Sequence, residues 1–247
     1  MIYATTDLHG NYDLWKQIQN YLQEDDKLIF LGDAIDRGDR GFEIFMEMLN
    51  DPRVIFIKGN HEDMMYWAYF SSEKDKKKLT AVWYKNGGLY TQNNIRHLIN
   101  SGRLTEDQVI EYITQIDDLP TYIICPIEDS NKIIYLTHAG FTPSPQLLDL
   151  SGTKQEELLL WDRKHIGDSW PQQYPNIYIL HGHTPIQSLP LYGQRAWDPN
   201  IGLTSYADGH KICLDLGTIS SQAAGLYCLN TMSVATYFSI QSSTKEN

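Results

Sequence analysis

Leu28-Ile29-Phe30-Leu31 runs directly into Gly32-Asp33-Ala34-Ile35-Asp36-Arg37-Gly38. A short apolar run stopped by glycine predicts a buried strand. The two glycines enclose a tight acid cluster that repels itself without a cation. Four other runs end in the same way. Ile2 to Thr6 leads to Asp7-Leu8-His9-Gly10, and Val54 to Lys58 leads to Gly59-Asn60-His61-Glu62. Ile133 to Thr137 leads to His138-Ala139-Gly140, and Ile177 to Leu180 leads to His181-Gly182-His183. Ligands of an open α/β sheet bind beyond the carboxyl ends of its strands. Five strands that deliver polar groups at that edge therefore predict one shared site. Its oxygen and nitrogen donors suit hard or borderline divalent metals.

Around these runs the hydrophobic spacing changes from strand to helix. Leu14, Ile18 and Tyr21/Leu22 predict a helix over 13–22. Phe42, Phe45, Met46 and Leu49 predict another over 41–49, closed by Pro52. This βαβαβ beginning predicts parallel strands joined by right-handed crossovers. Residues 62–118 break the alternation and read as a helical cap beside the site. Within it, Glu73 to Lys78 reads as a solvated charged loop and Asn86-Gly87-Gly88 as a turn. Strands are expected at 121–127 and 132–137, and a helix at 154–162. The chain then turns β-rich at 211–215, 224–229 and 232–240, the last two joined across Asn230-Thr231. These predict a second, mostly antiparallel sheet packed on the first. One domain spans 1–240, followed by a polar, disordered tail at 241–247.

The 20 basic and 31 acidic residues leave a formal charge of −11. That balance offers no basic footprint for nucleic acid or an anionic membrane, so neither is an expected partner. An acidic protein that handles phosphates needs local positive charge, which metals supply. No apolar run is long enough to span a bilayer. The first strand at Ile2 leaves no room for a signal peptide. Cys125, Cys213 and Cys228 are odd in number and lie in apolar stretches. They read as buried, reduced thiols of a cytoplasmic protein.

Each polar fragment alone has a plain structural explanation. Asp-x-His is a common cap or turn, Asn60 can cap a helix, and Asp33, Asp36 and Arg37 can form a capped turn with an ion pair. A single His138 can be a hydrogen-bonded core histidine. Their conjunction at five strand ends favours a site over five independent coincidences.

The set resembles the calcineurin-like metallophosphoesterases, specifically the bacterial PPP-type serine/threonine phosphatases, which are related to diadenosine tetraphosphatases. The family pattern is Gly-Asp-x-His-Gly, Gly-Asp-x-x-Asp-Arg-Gly, Gly-Asn-His-Glu, a His before a small residue and Gly, and a final Gly-His. Here these stand at 6–10, 32–38, 59–62, 138–140 and 182–183. The resemblance extends to Trp83 with Asn86-Gly87-Gly88, to Trp161-Asp162-Arg163 and to Ile212-Cys213-Leu214-Asp215-Leu216-Gly217. Thr6 departs from it, standing where the family usually has glycine, Ala139 stands where the eukaryotic enzymes have glycine, and the usual double glycine after Gly217 is missing.

The resemblance implies an α/β fold of two packed mixed β-sheets flanked by helices, an α/β/β/α sandwich with a helical cap at about 62–118. It implies two divalent metal ions, Mn²⁺ first, with Fe or Zn as alternatives. Asp7, His9 and Asp33 would hold one ion and Asp33, Asn60, His138 and His183 the other, with Asp33 bridging ions roughly 3.5–4 Å apart. A metal-bridging hydroxide would attack phosphorus in line. Arg37 and Arg163 would hold the phosphoryl oxygens, and His61, oriented by Asp36, would protonate the leaving group. His181 would act behind the ligands, while His97, His165 and His210 read as ordinary loop or surface residues. Asp162 and Asp215 read as structural. The implied substrate is phosphoserine or phosphothreonine in a protein. A dinucleoside polyphosphate such as diadenosine tetraphosphate is the alternative, with Met64, Met65, Tyr66, Trp67, Tyr69, Phe70, Trp83, Tyr84 and Tyr90 as stacking surface or as the cap's own core. An inactive metal-binding module is a third reading, which Asp36, Arg37 and His61 argue against.

Overall fold

A computed structural model describes residues 1–127, 130–148, 153–189 and 202–240. Strand β1 (Ile2–Thr5), helix α1 (Tyr12–Tyr21), β2 (Lys27–Phe30), α2 (Gly41–Asn50) and β3 (Val54–Phe56) form the expected βαβαβ unit, with β1–β2 and β2–β3 parallel. Asn11 starts α1 by accepting the Leu14 N–H. Leu14, Trp15 and Ile18 of α1 and Phe42, Phe45 and Met48 of α2 are buried in one core with Leu28 and Phe30 of the sheet. Truncating one such aromatic costs about 3–5 kcal/mol.

The cap comprises α3 (Asn60–Phe70), α4 (Glu73–Trp83), a kinked turn at Tyr84–Gly88, α5 (Leu89–Asn100) and α6 (Glu106–Thr114). Residues 73–78 are the first half of α4 rather than a loop. Glu73 and Asp75 lie in its first turn, where carboxylates favour the helix, and the lysines that follow are good helix formers.

The remaining elements are β4 (Tyr122–Pro126), β5 (Ile133–Thr137), α7 (Pro145–Leu148), α8 (Thr153–Trp161), β6 (Ile177–His181), β7 (Thr204–Tyr206), β8 (Lys211–Cys213), α9 (Thr218–Ser221), β9 (Ala223–Cys228) and β10 (Ser233–Ser239). One sheet has the order β10-β9-β1-β2-β3, the other β4-β5-β6-β8-β7. The C-terminal hairpin thus belongs to the first sheet, with Tyr3 in register with Cys228 and Ala4 with Tyr227. All six residues of β9 are buried, as suits a strand with a neighbour on each side. The second sheet is mixed, with β5–β6 and β6–β8 parallel and β4–β5 and β7–β8 antiparallel. These two findings correct the expectation of a mostly antiparallel second sheet.

Ala4, Ile29 and Leu31 of the first sheet pack against Ile134, Leu136, Leu180 and Ile212 of the second. Helices α1 and α2 and the cap cover the outer face of the first sheet. Phe141, Leu159 and Trp170 cover that of the second. The result is the expected α/β/β/α sandwich. No helix among the described residues is long and apolar enough to cross a membrane. All three cysteines are free, Cys213 and Cys228 buried and Cys125 half-buried. The tail at 241–247 lies outside the described residues.

Candidate metal centre

The carboxyl ends of β1, β2, β3, β5 and β6 meet, and the residues just beyond them converge. Asp7, His9, Asp33, Asn60, His138 and His183 are all buried there. The loops that carry them are bent sharply. Asp7, His9, Asp33, Asp36, Arg37 and His183 all have left-handed backbones, with φ between +43° and +71°. Such conformations cost of order 1–3 kcal/mol each when unfavourable and persist only where the surroundings hold them. Glu62 is one such support. Its buried carboxylate accepts the N–H groups of Asp33 (2.8 Å), Ala34 (3.0 Å) and Gly59 (3.0 Å). Gly182 leaves the room this packing needs, since a Cβ there would clash with Asp7 Oδ2.

Asp33 stands at the centre. Its Oδ2 lies 3.7 Å from His9 Nε2 and 3.8 Å from His61 Nε2, while Oδ1 lies 3.4 Å from His138 Nε2. The two oxygens thus face two separate groups of donors. His9, Asp33 and His61 form one group able to hold a cation, and Asp33, His138 and His183 the other. Asp7 Oδ1 is 3.8 Å from His9 Nε2. Its Oδ2 accepts the Thr6 hydroxyl at 2.5 Å and the His183 N–H at 3.0 Å. The first sequence departure, Thr6, therefore orients Asp7. Asn60 Oδ1 lies 2.9 Å from both His138 Nε2 and His183 Nδ1.

The electrostatics of the cluster favour a cation. Burial drives the His138 pKa down, but Asp33 and Asp7 outweigh it and push it up to about 9. The same negative field attracts a metal. Burial, His138 and Arg163 together hold His183 down at about 2, so its imidazole is neutral. His183 Nε2 is buried with no hydrogen-bond partner among the described residues. An orphaned buried lone pair costs free energy unless something coordinates it, and a metal does so. His9 is also held well below its usual value, first by burial and then by His61.

Asp36, Arg37 and His61 form a second layer. His61 Nδ1 sits 2.6 Å from Asp36 Oδ2. Asp36 also accepts the Thr91 hydroxyl at 2.7 Å and the Trp83 indole N–H at 3.0 Å. Burial lowers the His61 pKa, yet Asp33 and Asp36 prevail and raise it. Arg37 lies across the cluster, with Nη1 2.7 Å from His9 Nε2 and Nη2 3.0 Å from His61 Nε2. The cap holds Arg37 from behind, since Gly87 O accepts its N–H at 3.3 Å. A Cβ on Gly87 would meet Arg37 Cγ at 2.8 Å. Arg163 approaches from the opposite sheet, with Nη2 3.5 Å from His183 O.

Other residues have roles that the sequence motifs did not disclose. Glu62, Thr6, Thr91 and Trp83 hold the named residues without contributing to the donor groups. Glu62, three residues after Gly59, stands where the glutamate half of a capping box does, and that spacing could have revealed its pull on the loop. His181 lies behind the centre, with Nε2 2.8 Å from the Tyr206 hydroxyl. His165 is buried rather than a surface residue, because its Nε2 lies 2.7 Å from Ala139 O and its ring packs on His181. His97 is exposed, and His210 stacks on Trp170 with ring centroids 4.5 Å apart. Asp162 caps the turn after Arg163 by accepting the N–H groups of Lys164 and His165. In the cap, Met64, Met65 and Trp83 are core residues, while Trp67, Phe70 and Tyr90 are exposed.

A candidate diadenosine tetraphosphatase shares this fold at 15% identity, with 96% of this chain and 92% of that chain covered and a TM-score of 0.59. A protein serine/threonine phosphatase from Saccharomyces cerevisiae, similar to human phosphatase PP5, aligns at 16% identity over 97% and 79% of the two chains, with a TM-score of 0.55. A cold-active protein-tyrosine phosphatase of a psychrophilic Shewanella aligns at 15% identity over 93% and 75%, with a TM-score of 0.51. At these identities the likeness concerns the fold alone. No curated protein matches the sequence. The pattern that defines the calcineurin-like phosphoesterases matches residues 1–211, and this chain belongs to that family.

Proposed function

We propose that the chain is a two-metal phosphomonoesterase that removes phosphate from phosphoserine or phosphothreonine in proteins. The observation that carries this reading is the Asp36–His61 pair at 2.6 Å beside the Asp33 cluster. A serine or threonine alkoxide is a strongly basic leaving group and gains most from a positioned acid. A departing phosphate, as in a dinucleoside polyphosphate, needs that proton far less.

Asp7, His9 and Asp33 would hold one divalent cation, and Asp33, Asn60, His138 and His183 the other. Oxygen and imidazole donors without thiolate suit Mn²⁺, Fe or Zn. When bound, such a pair supplies Lewis-acid charge to the phosphoryl oxygens and acidifies the attacking water. Asp33 and Asp36 raise the His61 pKa against burial, and Asp36 engages its Nδ1, so His61 is assigned here as the proton donor rather than as a ligand. Arg37 leaves His61 Nε2 to grip a phosphoryl oxygen, which its planar fork suits, and Arg163 grips another. His61 then gives its Nε2 proton to the departing oxygen while Asp36 retains Nδ1–H. The free cysteines accord with a cytoplasmic setting.

The dinucleotide reading draws on a different observation. A cleft of about 490 Å³ opens beside His9 and Arg37, lined by Tyr12, Arg40, Ile219 and Gln222 among others. Its size falls in the range of small-ligand pockets. One comparison separates the readings. The Mn²⁺-loaded chain is assayed for kcat/KM on a phosphothreonine peptide, a small aryl phosphate and diadenosine tetraphosphate. Preference for the peptide is expected. Preference for the dinucleotide by orders of magnitude replaces the first reading with the second. Metal binding without turnover on any substrate points to an inactive module.

A further inference from the structure

Behind the centre, three segments meet at one buried cation. Lys211 on β8 has no exposed surface. Its ammonium has three protons and three acceptors: Thr142 Oγ1 at 2.7 Å, His165 O at 2.5 Å and His165 Nδ1 at 3.4 Å. The Thr142 hydroxyl in turn donates a hydrogen bond to Asp168 Oδ2 at 2.8 Å. Burial and the neighbouring Lys211 hold His165 down at about 3, so its ring is neutral.

A neutral imidazole has one donor and one acceptor nitrogen. An ammonium facing Nδ1 makes that nitrogen the acceptor. The proton is then on Nε2, which donates to Ala139 O at 2.7 Å. Ala139 directly follows His138. Its N–H donates to Leu159 O at 2.7 Å, while His138 O accepts the Gly182 N–H at 2.8 Å. The backbone on both sides of His138 is thereby fixed. His138 Nδ1, 2.7 Å from Leu31 O, turns Nε2 toward Asp33. The same lysine also grips the turn after Arg163, because His165 O is one of its three acceptors. No room remains for slack, since a Cβ on Gly140 would meet both the His165 and His181 rings at 2.9 Å.

We propose that Lys211, which fixes the tautomer of His165, and His165, which donates to Ala139 O, are positioning residues that hold the backbone around His138, and so set the strength of the cation site that His138 serves. The inference rests on the reading of His138 as a metal ligand. Groups one step behind a metal ligand typically govern affinity by about 10–100-fold.

The test is calorimetric titration of Mn²⁺ into the chelator-stripped full chain, with melting curves to verify folding. The variants are Lys211→Met, His165→Leu, His165→Gln and His138→Ala. Lys211→Met and His165→Leu are expected to weaken Mn²⁺ binding by about 10–100-fold. His165→Gln keeps an N–H that can reach Ala139 O and is expected to restore wild-type affinity. A purely structural role lowers the melting temperature without moving the metal affinity of the folded protein. Unchanged affinity in folded Lys211→Met and His165→Leu, with His138→Ala weakened, overturns the inference and leaves the ligand role of His138 standing. His165→Gln as weak as His165→Leu also overturns it, because the donated N–H is then not the lock. Wild-type affinity in His138→Ala removes the ligand reading and this inference together.

Discussion

His61 Nδ1 lies 2.6 Å from Asp36 Oδ2, and Asp36 is wholly buried beneath it. Trp83 and Thr91 of the cap hold the same carboxylate, so the cap fixes the direction in which His61 points. His61→Asn keeps a polar side chain but has no proton to transfer. General acid catalysis contributes roughly 10²–10⁴-fold. A loss of that size in kcat is expected on phosphothreonine peptide, and a much smaller loss on an aryl phosphate whose leaving group needs no acid. Near-wild-type turnover on the peptide would remove His61 from the proposed chemistry.

Glu62 is a distinct case, since it belongs to neither cation-holding group yet holds the loop of Asp33. Its carboxylate takes N–H groups from Asp33, Ala34 and Gly59. Glu62→Gln replaces one acceptor oxygen with a donor that opposes these N–H groups. Hydrogen bonds to a charged group are worth about 1.5–3 kcal/mol. Urea unfolding is expected to show a loss of that order, together with weaker Mn²⁺ binding. Wild-type stability in the variant would mean that the left-handed Asp33 loop stands without this support.

The five polar strand ends were legible because each is a local event, an apolar run followed by glycine and an acid, amide or imidazole. What lay between distant segments was not. The register of Tyr3 with Cys228 spans nearly the whole chain and has no local signal, so nothing in the sequence assigns the hairpin to the first sheet. The sequence gives no sign that His165 is buried, because its partner Lys211 is far along the chain. Polarity alone makes the charged run at Glu73 to Lys78 read as a loop, although its residues favour a helix. The left-handed backbones of Asp7, His9, Asp33 and His183 were illegible too, because a motif records side chains and not the bends that aim them.

Away from the centre, Glu43 gives the fold a pH dependence. Arg40 hydrogen bonds chiefly lower its pKa against the opposing effect of burial, with help from Arg103 and Asn94, from its ordinary 4.5 to about 2. A carboxylate with a depressed folded-state pKa stabilises the fold fully above its unfolded value. That contribution is lost as pH falls through the folded value. The stability gap between the wild type and Glu43→Gln is therefore expected to be constant above pH 4.5 and to close toward pH 2. Urea or thermal unfolding at a series of pH values measures it. A gap that widens on acidification contradicts the assignment.

Gly182 lies between His181 and His183, and its missing side chain is what lets Asp7 approach. A Cβ there would clash with Asp7 Oδ2 and Thr6 Oγ1. Both atoms belong to the hydrogen-bonded pair that orients Asp7, and the His183 N–H shares that oxygen. Gly182→Ala must therefore push Asp7 away or bend the backbone between the two histidines. Large Asp7 movement costs metal affinity, because carboxylate ligands act only within a few tenths of an ångström of their place. The variant is expected to bind Mn²⁺ about tenfold or more weaker in calorimetric titration, in line with other disturbances just behind metal ligands. Its β-sheet content by circular dichroism should be unchanged, since Gly182 follows the end of β6. If Gly182→Ala bound Mn²⁺ like the wild type, Asp7 would not be a ligand in the position assigned to it.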